Sequence, residues 1–189
     1  MVRHFLYNQL YFNSEILSDL LKTTAYPAFN GNVYIFYSAV ATFCAPSDDS
    51  HGINGMSHKY IWAMPSWRGG VAQYDCAFIN LNPEIDDMCG LEVVCVLTFF
   101  SFSYNAQEYQ CALIHWFSCI GTGPEFDKDK DHHIAVVHVN SIYRAMHLVP
   151  VYQTGQYISQ TLTMHDTLDT FSHFYINKYV DYHAFEIAF

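Results

Sequence analysis

The run "YQCALIHWF", residues 109–117, sets Cys111, His115 and Trp116 in an otherwise apolar stretch, and Cys119 follows shortly after. Thiols and an imidazole at four-residue steps could share a metal ion on a helix, where such a step is about one turn. On a strand the same step spans roughly 13 Å at about 3.3 Å per residue. One zinc ion cannot bridge that, because its ligand bonds are only about 2.0–2.3 Å long. Enrichment in Ile, Phe and Trp favours the strand. The run therefore reads as the middle of a sheet, with Cys111, His115 and Cys119 on one face. Ala112, Ile114 and Trp116 occupy the other, also apolar, as expected of a central strand covered on both sides.

The segment "DKDKDHH" places Asp127, Asp129 and Asp131 at the alternate spacing of the first EF-hand calcium ligands. The sixth position of that loop needs glycine and the twelfth a bidentate Glu. His132 and His138 stand there instead, so a solvated charged loop is the better reading. Asp131, His132, His133 and His138 remain weak candidates for a transition-metal site, set against a titrating surface cluster. No G-x-S-x-G elbow, P-loop or dinucleotide glycine pattern occurs, and no spacing pairs two carboxylates for acid–base work. The expectation is a non-enzymatic protein with no cofactor.

Aromatic residues supply another kind of chemistry. Trp62, Trp67, Tyr74, Trp116 and Tyr143, with nearby carboxylates, are candidates to line a cage for a cation such as methylated lysine. Ordinary packing competes with that reading, since a chain with 17% aromatic residues must bury many of them.

The elements that would position these residues can be read from periodicity. Val2, Phe5, Leu6 and Leu10 recur at helical spacing, and Ser14 can cap a second short helix reaching residue 21. "NVYIFYSAVATFCA" reads as a long strand or two, and residues 47–70 mostly as connection. "YDCAFINL", "LEVVCVLTFFSFSY" and "YQCALIHWFSCI" are three β-rich runs with short links, which predicts an antiparallel meander. "GTGPEFDKDKDHH" is polar and charged. "IAVVHVN" and "LVPVY" read as short strands, with "SIYRAMH" between them as a helical turn. In "HDTLDTFSHFYINKYV", Leu168, Phe171, Tyr175 and Tyr179 lie at helical spacing behind Asp166 or Thr167 as N-cap, predicting a C-terminal helix. Three segments follow: a helical 1–30, a β-rich domain 31–155 and a helical tail 156–189 packed on it.

A chain of 189 residues, 51% hydrophobic and 14% charged, has the composition of a folded body. Its apolar runs are shorter than the ~20 residues of a membrane-spanning helix, and the N-terminus lacks a signal-peptide pattern. The expected setting is intracellular, with the six cysteines as reduced thiols. A net charge of −10 counts against independent nucleic-acid binding. Protonating all eleven histidines would carry it to +1, so the field of the protein weakens as pH falls through about 6.5.

Taken together, "RHFLYNQLY", "SAVATFCAPSD", "SWRGGVAQYDCAFIN", "LEVVCVLTFFSFSY", "YQCALIHWF", "VVHVNSIYRAMHLVPVY" and "FYINKYVDYHAFEIAF" span nearly the entire chain. In that order they resemble the C-terminal region of transposase-like proteins of Plavaka-type, CACTA-like DNA transposons of basidiomycete fungi. The resemblance implies a module following an integrase-like domain, whose catalytic carboxylates would lie outside this chain. It also implies a small, mainly β, SH3-like or bromo-adjacent-like antiparallel barrel with N- and C-terminal helices. Two departures stand out: Gln110 replaces the family's Pro, and Gly123 passes directly to Pro124 where a further strand is expected. These imply a partly open barrel in a truncated or degenerate copy, as does Met1 standing just ahead of "RHFLYNQLY".

The function expected is protein–protein contact by an accessory module, with a basic peptide as the candidate partner and, by the resemblance, the nucleus as a candidate location. A transposition accessory that contacts DNA only alongside missing upstream domains is the first alternative. A His-rich metal-binding protein is the second.

Overall fold

A computed structural model of the protein describes residues 1–11, 26–46, 53–80, 90–119, 125–128, 134–152, 158–163 and 166–187. The first of these segments forms helix α1, Val2–Tyr11. Twelve strands follow in chain order: β1 (Val33–Phe36), β2 (Ser38–Cys44), β3 (Met56–Met64), β4 (Gln73–Tyr74), β5 (Cys76–Asn80), β6 (Leu91–Tyr104), β7 (Gln107–Cys119), β8 (Glu125–Lys128), β9 (Ile134–His138), β10 (Ile142–Met146), β11 (Leu148–Pro150) and β12 (His173–Ile176). Two short helices, α2 (Thr167–Thr170) and α3 (Tyr182–Ile187), flank β12.

The fold is built on the hairpin of β6 and β7. Asn105 and Ala106 turn it with φ of 51° and 63°, the left-handed pair that a two-residue hairpin loop requires. On one edge, β6 takes β5 along residues 91–95 and β1 along 99–102. On the other, β7 takes β9 along 111–115 and β8 along 117–119. β10 extends the sheet past β5, while β12 and β11 extend it past β8, giving nine strands among the described residues. A second sheet, β2–β3–β4, has three. All the pairings among the described residues are antiparallel, and the sheets these residues form do not close into a barrel.

Side-chain alternation explains the layers. Ala77 and Ile79 of β5, Val94 and Val96 of β6, and Ala112 and Ile114 of β7 face the small sheet, where they meet Ala41, Ile61 and Ala63. The opposite face carries Cys76, Phe78, Val93, Cys95 and Phe117, packed with Phe126, Leu148, Phe171, Phe174 and Ile176. The register of β6 against β7 shifts between Val96 and Thr98. The extra residue inverts the parity of β6. Phe99 therefore joins the first core, while Phe100 and Phe102 pack with Tyr109, Cys111 and the α1 residues Phe5 and Leu6. The run at 109–117 is thus a central strand covered on both faces.

Four expectations are corrected. The connection expected over residues 47–70 contains a strand, because β3 pairs with β2 from Met56 to Trp62. Exposed His58, Lys59 and Tyr60 give this strand the polar texture of a loop. The charged segment after Gly123 contains β8, which holds Asp127 opposite Ser118 and His173. "SIYRAMH" supplies strand β10, Ile142–Met146, paired with β5, and the helical turn is confined to a 3-10 turn over Val139–Ser141 at its start. The predicted C-terminal helix is replaced by α2, β12 and α3, because Phe174 and Ile176 are buried on one face of β12 at a period of two. The helix expected from Ser14 lies outside the described residues. Among the described residues, no helix is long and apolar enough to cross a membrane.

Candidate functional site

A cleft of about 720 Å³ opens where the bulge of β6 meets β4 and α2. Cys95 and Leu97 of β6 with His115 and Phe117 of β7 form its floor, and Asp166, Leu168 and Asp169 form one wall. Trp67, Tyr74 and Asp75 form the other. Leu97 is the residue inserted by the bulge, so the register shift that inverts β6 also shapes this floor.

A tight turn presents Trp67. Its N–H donates to the Val71 carbonyl at 2.9 Å, Gly70 N–H donates to the Trp67 carbonyl at 2.8 Å, and Ser66 Oγ donates to the Gly70 carbonyl at 2.9 Å. Gly69 turns the chain at φ 77°, a conformation that disfavours any side chain. Tyr74 is placed by pairing with Ala63. Asp75 is fixed from two sides, by Trp62 N–H to Oδ2 at 2.8 Å and Gln73 Nε2 to Oδ1 at 3.2 Å. Asp166 Oδ2 accepts from the Thr163 hydroxyl at 2.6 Å. Three carboxylates and the rings of Trp67, Tyr74 and Phe117 therefore share one concavity. The guanidinium of Arg68 already lies 5.5 Å over the Trp67 ring.

The five candidate cage residues divide. Trp67 and Tyr74 line the cleft, and Trp62 supports Trp67 edge-on at 5.2 Å while stacking with Tyr60 at 5.6 Å. Trp116 does not join them, since alternation on β7 turns it to the face opposite His115 and Phe117, into the core beneath the small sheet. Tyr143 is held elsewhere, its hydroxyl 3.2 Å from His183 Nε2.

The thiol–imidazole run holds no common centre. Cys111 packs among Phe5, Phe100 and Phe102, where burial pushes its thiol up to about 12, whereas His115 lines the cleft. Among the described residues, no group of three or more His, Cys, Asp or Glu side chains could hold a metal ion. Asp131, His132 and His133 lie outside the described residues. His138 packs its ring on Phe5 at 5.0 Å and on Tyr109 at 6.1 Å.

Sequence reasoning missed a second polar constellation. Arg144 on β10 is 2% exposed and donates to Asp181 through Nη1 at 3.1 Å and Nη2 at 2.5 Å. Its guanidinium lies 4.6 Å over the Phe43 ring. Asp181 precedes α3 and caps it, with Oδ1 accepting from Ala184 N–H at 2.7 Å. Burial pushes the Asp181 carboxyl up. The Arg144 hydrogen bonds, the Ala184 N–H and the charges of Arg144 and Lys59 outweigh burial and hold it below the usual carboxylate range. The available signals were a lone Arg within "SIYRAM" and an Asp three residues ahead of Ala184. Comparison of the chain with family models, curated proteins and solved structures finds no match.

Proposed function

We propose that the protein is a non-enzymatic interaction module of a transposon-derived protein, and that its cleft receives the cationic side chain of a basic peptide, methylated lysine foremost. One observation carries this reading: Trp67 and Tyr74 share the cleft with Asp75, Asp166 and Asp169. Aromatic faces attract cations within about 6 Å, most strongly cations that shed water readily, and carboxylates at the rim add long-range attraction. A methylated ammonium is such a cation. The net charge of −10 supports a basic ligand. The transposase resemblance supports the wider assignment, with an SH3-like or bromo-adjacent-like module and a nuclear setting as its finer parts.

Titration calorimetry with short Lys-rich peptides tests the reading. The trimethyllysine form binds more tightly than about 1 mM and more tightly than unmodified lysine, and Trp67→Ala weakens it roughly five- to thirtyfold, the equivalent of about 1–2 kcal/mol. Binding no tighter than about 1 mM for every peptide would remove the proposal.

A further inference from the structure

His183, on α3, is 5% exposed and stacks on Phe43 of β2 with ring centroids 5.0 Å apart. Its Nδ1 lies 2.8 Å from Arg144 Nη1. A guanidinium only donates, so Nδ1 must offer its lone pair. The ring is then the neutral Nε2–H tautomer, donating to the Tyr143 hydroxyl at 3.2 Å. A second proton has one place to go, Nδ1, and there it would face the N–H of Arg144.

We infer that the Arg144–His183–Asp181 cluster is a pH-sensitive latch, which holds the C-terminal segment against β2 and β10 while His183 is neutral and releases it when the imidazole is protonated. The surroundings among the described residues favour this. From β10 the ring faces Arg144 and Tyr143, and from β2 it faces Phe43, with Cys44 close enough to Tyr143 to act on its phenol. From β3, Lys59 adds a further cation 3.8 Å from Asp181 Oδ2. Among the described residues the anion in the group is Asp181, and both its oxygens already accept from Arg144. Burial pushes the Tyr143 phenol up despite the Arg144 charge, so it stays neutral and offers an imidazolium no counter-charge.

The sign follows from linkage. The latched ring excludes a proton that the released ring accepts, so falling pH favours release through the ordinary imidazole range, about 6.5. One proton gives at most a tenfold change in the latch equilibrium per pH unit. Ile187 packs against the core cluster of Cys76, Phe78 and Val93 and their neighbours, so release also withdraws a side chain from that core.

Amide hydrogen exchange of the full chain, corrected for intrinsic rates, tests the latch. Protection at Ala184 and Phe185 falls up to about tenfold per pH unit below about pH 6.5 in the wild type. It stays flat over that range in His183→Asn, whose amide oxygen still accepts from Arg144 and does not titrate. Flat wild-type protection, or the same fall in the variant, would overturn the latch. If the variant does not fold, nitrogen NMR of the wild-type imidazole at pH 7.5 decides: an Nε2–H ring supports the latch and an Nδ1–H ring refutes it.

Discussion

Replacing Arg144 by alanine lowers stability by about 3–5 kcal/mol, the range for breaking a buried ion pair on one side. The guanidinium makes five contacts: two hydrogen bonds to Asp181, one to His183, one from Nε to the Ala145 carbonyl at 3.1 Å, and the approach to the Phe43 ring. Without it, Asp181 keeps the Ala184 N–H and the exposed Lys59 ammonium at 3.8 Å. For a chain of this size the loss corresponds to a midpoint lower by roughly 10 °C. Asp181→Asn, which retains an acceptor for the Ala184 N–H, costs less than Arg144→Ala. Thermal unfolding of the two variants beside the wild type measures the order, and equal stability for all three would contradict a buried ionic tie. The Asp181 contribution is full above about pH 3.9, the unfolded carboxyl value, and is lost as pH falls below it, because its folded value is depressed. It is thereby separable from any histidine-linked change.

Phe174→Ala destabilises by a similar amount, about 3–5 kcal/mol. Phe174 is fully buried, lies opposite Phe126 and Pro150, and packs edge-on to Phe117 at 5.8 Å. Tyr175, its neighbour on the strand, is 43% exposed, so Tyr175→Ala is expected to cost under about 1 kcal/mol. Denaturant unfolding of this pair distinguishes a strand, where adjacent residues differ sharply, from the helix that the spacing of Leu168, Phe171, Tyr175 and Tyr179 suggests. Equal costs would contradict the strand.

That contrast shows what was legible. The meander of β5, β6 and β7 could be read from dense β-branched and aromatic runs with turn residues between them. β3 could not, because one face of it is solvated and the exposed His58, Lys59 and Tyr60 interrupt the apolar pattern. β10 was hidden for the opposite reason: Arg144 is charged yet buried, a choice that only its partners from the distant C-terminal segment explain. In the cleft, residue types were readable but neighbours were not. Trp67 meets Tyr74 through the pairing of β3 with β4, and the bulge at Leu97 has no sequence marker. Trp116 stands apart from the group because its parity on β7, legible in the alternation of the run, turns it to the face opposite His115.

The cleft itself is most directly tested by following the indole and phenol NMR signals of the full chain during titration with tetramethylammonium, a bare cation of the proposed kind. A saturable shift at Trp67 and Tyr74, with Trp116 and Tyr143 unmoved, is the result predicted. No saturable shift at Trp67 and Tyr74, or equal drift of all four, would contradict a cation-binding site there.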